Sequence, residues 1–289
     1  MAERYRIEAQ PASSILARTS GFIHQAGFTH SLTPARNCTF ACTYCYVPTM
    51  RIYGGLKRED WERWGQFTTF KENAAELLRH AVKPDMLICC SPLVDPYQPA
   101  ERQQSLMPRI LEVLIHRPPA VFTIQTRGPL ILRDLDLLKV LARRTSLRIS
   151  FSITTDDDSV RRLYEPLCAP IVERLDTVAR LSSAGLAVHA TLAPLLPCDP
   201  MRLLDAALDV TRQPVVGDPL HLRETKRQGA TTREQAFRIA QKHGHEHWFQ
   251  SDYQSRIVEQ MKQRAAQAGR RFGVGPEGFR WLTYSTHSE

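Results

Sequence analysis

Apolar positions fall into two alternating patterns along the chain. Short aliphatic and β-branched runs are separated by longer stretches in which apolar residues recur every third or fourth position. Residues 27–33 read as a first strand, stopped by Pro34. Residues 71–82 have helical composition, and the apolar run 86–90 before Ser91 and Pro92 reads as a buried strand. Residues 102–116 place Leu106, Ile110 and Leu114 on one helical face, and 121–125 form the next strand. Residues 129–143 return to helix, with Ile131, Leu135, Leu138 and Leu141 in a stripe. The alternating segment 147–153 is a strand, 171–184 a helix closed by Gly185, and 186–192 a strand ending near Pro194. A helix over 201–211 and a short sixth strand over 214–217 follow. Such strict alternation predicts an α/β fold of parallel strands joined by right-handed crossovers. An open barrel and a doubly wound sheet both satisfy the pattern.

Both ends depart from it. Residues 1–27 are weakly periodic and read as an N-terminal extension, residues 28–217 as the core, and residues 218–289 as a C-terminal helical region. Polar helices are expected there over 231–242 and 252–268, with no strand between them. The alternating His243, His245 and His247 read as a solvated turn between those helices in preference to a metal site. The basic, glycine-rich segment 269–276 lacks the strand–helix context of a nucleotide-binding loop. Residues 48–70 interleave Arg51, Tyr53, Lys57 and Arg58 with Trp61 and Trp64. They read first as a loop and short helix packing tryptophans on the core, and second as a surface that stacks bases and holds phosphates.

A chain of 289 residues with 43% hydrophobic content suffices for one large domain and excludes a disordered protein. No apolar run has the length of a membrane span, and the N-terminus lacks the apolar stretch of a signal peptide. A cytoplasmic location without membrane association is expected. The net charge of +8 fits either a polyanion partner or a soluble arginine-rich enzyme.

Chemistry concentrates at Cys38, Cys42 and Cys45, spaced C-x3-C-x2-C with Tyr44 before the third. The other four of the seven cysteines, Cys89, Cys90, Cys168 and Cys198, read as small buried hydrophobes in a reducing compartment. Thiolates suit iron–sulfur clusters or zinc, and both centres normally take four ligands. Three close cysteines leave one position to fill. In a four-iron cluster that position is an iron open to a substrate or cofactor. Zinc would need a fourth ligand such as His24, His30 or Cys90, and would make the chain a non-catalytic, nucleic-acid-binding protein.

The cysteine spacing resembles the radical S-adenosylmethionine (radical SAM) superfamily. Further segments are similar to its spore photoproduct lyase-like, DNA-repair branch. They are Asp95-Pro96-Tyr97-Gln98-Pro99-Ala100-Glu101, Arg127 with Leu132-Arg133-Asp134-Leu135-Asp136, Ser150-Phe151-Ser152, Tyr164-Glu165-Pro166 and Ala193-Pro194. The resemblance implies a partial (β/α)6 barrel of the TIM type, a [4Fe-4S] cluster on Cys38, Cys42 and Cys45, and S-adenosylmethionine. It implies reductive cleavage of that cofactor to a 5′-deoxyadenosyl radical, which takes a hydrogen atom from a substrate. By the same resemblance, Tyr44 packs beside the adenine and the segment Ser91 to Asp95 meets the methionine amino group. Arg127 lies near the cofactor carboxylate and Ser152 meets the ribose. An electron donor such as flavodoxin or ferredoxin is implied. DNA or RNA is the first expected substrate; a peptide or small molecule is the nearest rival. Relatives carry glycine where Asn37 stands, and asparagine tolerates left-handed backbone. In the branch a cysteine beyond the second strand returns a hydrogen atom. Cys90 is the candidate donor here, although neighbours in a strand face opposite sides and at most one of Cys89 and Cys90 faces the interior.

Overall fold

The computed structural model describes residues 5–49, 63–221 and 233–284. Its elements, in chain order, begin with β1 (Arg6–Gln10), β2 (Leu16–Arg18), α1 (Gly21–Gln25), β3 (His30–Leu32), β4 (Ala35–Arg36) and β5 (Phe67–Lys71). There follow α2 (Ala74–Ala81), β6 (Leu87–Cys90), α3 (Glu101–Gln104), α4 (Leu106–His116), β7 (Val121–Thr126), α5 (Leu135–Ala142) and β8 (Ser146–Ser152). Then come α6 (Asp158–Tyr164), α7 (Ile171–Ser183), β9 (Val188–Leu195), α8 (Pro200–Val210) and β10 (Val215–Pro219). The chain closes with α9 (Glu234–His243), α10 (Ser251–Gln267), β11 (Phe272–Val274) and α11 (Gly275–Phe279).

The main sheet has eight strands in the order β11-β10-β9-β8-β7-β6-β3-β2. Every neighbouring pair is parallel except β2 with β3. From β3 onward the strands follow one another in space as they do in sequence. That order has no reversal point, so right-handed crossovers put the connecting helices on one face and leave the other as an interior. This decides between the two architectures the sequence pattern permits: the sheet is singly wound, as in a partial barrel.

Register shows what each face carries. Cys89 pairs with Thr123 and Thr123 with Arg148; Gln125 pairs with Ser150, and Ser150 with His189. These residues share the concave face, and it is polar. The opposite row runs Leu32, Cys90, Ile124 and Ile149, with Ile149 pairing Val188, and is buried against the helices. Alternation of apolar-out and polar-in over buried strands marks a fold whose interior is kept for chemistry.

Two features depart from expectation. Phe67–Lys71 is a strand, preceding the helix expected over 71–82, and joins β1 and β4 in a small separate sheet. In the C-terminal region, β11 adds a further parallel strand beside β10, where no strand was expected. Three residues inside a glycine-rich turn are too few to show a period. After β11 the chain passes under the concave face. Phe279 and Leu282 pack with Phe28, Cys89 and Val216. The hydroxyl of Thr123 donates to the Leu282 carbonyl at 2.7 Å, and Arg148 Nη2 to the Tyr284 carbonyl at 3.0 Å. The segment 275–284 thus plugs the end of the interior near the starts of β7 and β8. The histidine-bearing turn lies between α9 and α10, with Gly244 capping α9 in left-handed backbone.

Candidate active site

The three cysteines occupy the loop after β3 and β4. Two residues of that loop, Asn37 at φ 62° and Ala41 at φ 54°, are left-handed. A side chain on Gly65 would meet the Ala41 Cβ at 2.3 Å, so only glycine lets the chain pass there. The loop is pinned by Gln98, which is buried. Its Oε1 accepts from the Thr39 amide at 2.8 Å and the Thr39 hydroxyl at 3.1 Å, and its Nε2 donates to the Asn37 carbonyl at 3.2 Å. The Asp-Pro-Tyr-Gln-Pro-x-Glu string is therefore a scaffold. Asp95 accepts from the Thr126 hydroxyl at 2.6 Å and from the amides of Arg127 and Tyr97 at 2.8 and 2.9 Å, joining the ends of β6 and β7. Glu101 accepts from Arg133 at 3.0 Å and from the Met107 amide at 2.8 Å.

The far side of the loop is held by the segment that follows α6. The Thr43 amide donates to the Tyr164 carbonyl at 2.9 Å. The Tyr44 hydroxyl donates to Glu165, and Arg127 Nη1 donates to both. Glu165, fully buried, also pairs with Arg174 of α7. Burial alone would raise the Glu165 carboxyl; Arg174 and Arg127, helped by the Tyr44 hydroxyl, hold it down at about 2. Cys42 Sγ lies 3.9 Å from Cys168 Sγ. Burial pushes the Cys45 thiol up to about 12, with Cys42 adding to it, and raises Cys38, on which Asp95 and Cys42 also act.

These contacts gather the cysteine loop over the ends of β6, β7 and β8, where a singly wound sheet builds its sites. All three cysteines are free thiols. Among the described residues no three His, Cys, Asp or Glu side chains come close enough to hold a single metal ion. A cluster spreads its cysteines around a cage of iron and sulfide, so this donor set fits a cluster better than zinc. Ser91 Oγ, Thr154 Oγ1 and both amide atoms of Asn37 are buried without a partner. Orphaned groups at the strand ends fit a polar cofactor bound there.

The sequence profile of the radical SAM superfamily matches residues 32–209. The chain belongs to that superfamily. An uncharacterized protein of Methanocaldococcus jannaschii is 28% identical over 161 residues, covering 55% of this chain and 58% of that protein. An uncharacterized protein of Mycobacterium tuberculosis is 30% identical over 177 residues, covering 59% of this chain and 50% of its own. The chain thus spans about half the length of these curated relatives. Spore photoproduct lyase complexed with dinucleoside spore photoproduct shares the fold, at 13% identity and a TM-score of 0.62 over 93% of this chain and 81% of that one.

Within this radical SAM fold the expected site residues fall out unequally. Tyr44, Asp95 and Arg127 come together around the cysteine loop, and Ser91 lies at the end of β6. Ser152 ends β8 in register with Thr191 on the concave face. Arg127 is engaged with Tyr44 and Glu165, and Asp95 with backbone and Thr126. Cys90 is a correction: strand alternation turns it to the helix side beside Ile124, and Cys89 faces the interior. Burial raises the Tyr46 phenol, and Cys45 and then Cys89 add to it. The basic and aromatic residues from Arg51 to Trp61 lie outside the described residues, whereas Trp64 is buried as the packing interpretation has it. Glu165 and Arg174 were missed as site residues. Their signal is an arginine on the apolar stripe Ile171, Arg174, Val178, Leu181, which only a buried partner can satisfy.

Proposed function

We propose that this radical SAM protein carries a [4Fe-4S] cluster on Cys38, Cys42 and Cys45 and abstracts hydrogen from a nucleic-acid substrate. One observation carries the proposal: three free thiols sit on a loop pinned over the strand ends, next to buried polar groups that lack protein partners. When bound, a reduced cluster and S-adenosylmethionine supply a 5′-deoxyadenosyl radical. The chain's own residues orient and seclude. Gln98 and the Tyr44–Glu165–Arg127 network fix the loop, Asp95 sets the end of β6 against β7, and Ser91 and Ser152 offer hydroxyl groups to the cofactor. Arg127 retains further guanidinium nitrogens for a carboxylate. The plug at residues 275–284 closes the other end of the interior against water. The thiol that could return a hydrogen atom from this interior is Cys89.

Nucleic acid is favoured by the net charge of +8 and by the shared fold with a lyase complexed with a dinucleoside photoproduct. An electron donor of the flavodoxin or ferredoxin kind is required for turnover. The zinc alternative is disfavoured because no ligand set for a single ion exists among the described residues. The test is anaerobic reconstitution of the full chain with iron and sulfide, reduction, and assay for 5′-deoxyadenosine. Wild type should form it, and Cys42→Ala should lose both cluster and product. Full cleavage by the variant, or a colourless zinc-bearing wild type, defeats the proposal. Binding to DNA or RNA should weaken steeply with added salt; absence of binding at low salt removes nucleic acid as substrate and leaves the radical chemistry standing.

A further inference from the structure

The charges behind the cysteine loop do not balance. Arg127 and Arg174 both pair with the single carboxylate of Glu165. Two positive charges against one negative leave a net +1. Arg174 and Glu165 have fully buried side chains, and Arg127 is 15% exposed, so solvent screens little of it. Tyr44, the remaining member, is a neutral phenol that donates its hydroxyl to Glu165. Arg174 is fixed in place by its Nε, which donates to the Ala169 carbonyl at 3.0 Å. Ala169 is the neighbour of Cys168, whose sulfur touches Cys42 at 3.9 Å. The Cys168 carbonyl is itself held by Arg161 Nη1 at 3.0 Å. The guanidinium is thus tied, through two adjacent residues, to the sulfur in contact with Cys42. The other charged groups around the site are Asp95, which acts on Cys38 and is itself acted on by Arg127, Arg233, which acts on Cys45, and the ion pair of Arg161 with Asp158. Asp95 and Arg233 offset one another and the pair is neutral, so the excess positive charge remains.

We propose that Arg174 is a positioning residue for the radical chemistry, a buried and incompletely neutralised cation that makes a cluster held by Cys42 easier to reduce. The inference rests on the reading that Cys38, Cys42 and Cys45 carry a four-iron cluster. Reduction adds a negative charge to the cluster, and a fixed positive charge in a low-dielectric surround favours it. Net charge, hydrogen bonds to the sulfurs and burial are the levers that set such potentials. An arginine pair with one glutamate also explains why a buried arginine is present at all. A purely structural role for Glu165 would need only one partner, and Arg127 already supplies it.

The experiment is a redox titration of the reconstituted full-length protein, followed by the electron paramagnetic resonance signal of the reduced cluster. Iron and sulfide content is measured on each variant. Arg174→Gln removes the excess charge, and its midpoint should move to more negative potential. Glu165→Gln leaves two arginines unopposed, and its midpoint should move the other way. Arg174→Lys keeps the charge with a different geometry and should stay near wild type. Opposite signs for the first two variants support the proposal, because general loosening of the site would move both in one direction. An unchanged Arg174→Gln midpoint at full cluster content overturns it, as does a shift of both variants in the same direction. Should Arg174→Gln fail to fold, Glu165→Gln decides alone: a less negative midpoint supports the proposal and any other result overturns it. Failure of the wild type to bind four iron and sulfide ions defeats the underlying reading, which separates that failure from this one.

Discussion

Gln98 shows how a single side chain can shape the site without touching the chemistry. Its amide satisfies a backbone amide, a hydroxyl and a carbonyl of the cysteine loop at once. Removing one partner of a buried hydrogen bond costs more than the bond contributes, because the group left behind stays out of water. Gln98→Ala is therefore expected to destabilise the protein by about 1–3 kcal/mol. Iron content after reconstitution should fall with it, since the loop loses its pin. Urea unfolding and iron analysis check both, and unchanged loading in a destabilised variant would show that the loop holds its shape by other contacts. The cysteines themselves were legible from spacing, and so was Asn37, whose left-handed backbone at φ 62° stands where a glycine was expected. The choice between Cys89 and Cys90 was not. Alternation says that they face opposite ways, but which one faces inward is set by pairing with Thr123 and Ile124, and register is a property of two strands.

At the level of elements, periodicity located the strands and helices of the core and missed the pieces that close it. Five of the six alternating strands have four residues or more, whereas β2, β4 and β11 have three or fewer; β3, also of three residues, was marked by the Pro34 that follows it. Such strands exist because tertiary contacts hold them. The same holds for the plug. α11 has only five residues, and its Phe279 meets Phe22 of α1 edge-on, with ring centroids 5.1 Å apart. Ends distant in sequence are thus joined beneath the concave face, together with Phe28 and Leu282. Phe279→Ala should cost about 3–5 kcal/mol, the range for removing a buried aromatic ring. A value under about 1 kcal/mol in equilibrium unfolding, the size of a surface change, would mean that the plug detaches freely. Gly217 belongs to the same closure: a side chain there would meet the Phe272 ring at 2.6 Å, so β10 and β11 approach only because it has none.

For the molecule as a whole, the polar concave face is a cost that folding must carry, and pH exposes it. His189 is 1% exposed on that face. Its Nδ1 donates to the Pro214 carbonyl at 3.0 Å, and its Nε2 is buried without a partner. Burial lowers its pKa from 6.5 to about 4; the Pro214 carbonyl opposes this, while Arg148 and Arg271 add to it. Between those values the unfolded chain binds a proton that the native state refuses, so stability rises with pH across that window. The contribution is complete above 6.5 and is lost as the solution is acidified toward 4. From the size of that difference, His189 should remove on the order of 2 kcal/mol between about pH 7 and about pH 5. Glu165 acts lower, losing its contribution only as pH falls from 4.5 toward about 2, so the two windows barely overlap. His189→Gln keeps a side chain able to donate to the Pro214 carbonyl and removes the titration. Its stability should therefore decline less than that of wild type over the upper window and run parallel below it. Urea midpoints taken at half-unit intervals test this. Parallel curves throughout would mean that water reaches Nε2 and the imidazole titrates normally, in which case the interior is wetter than its sealed lower end implies.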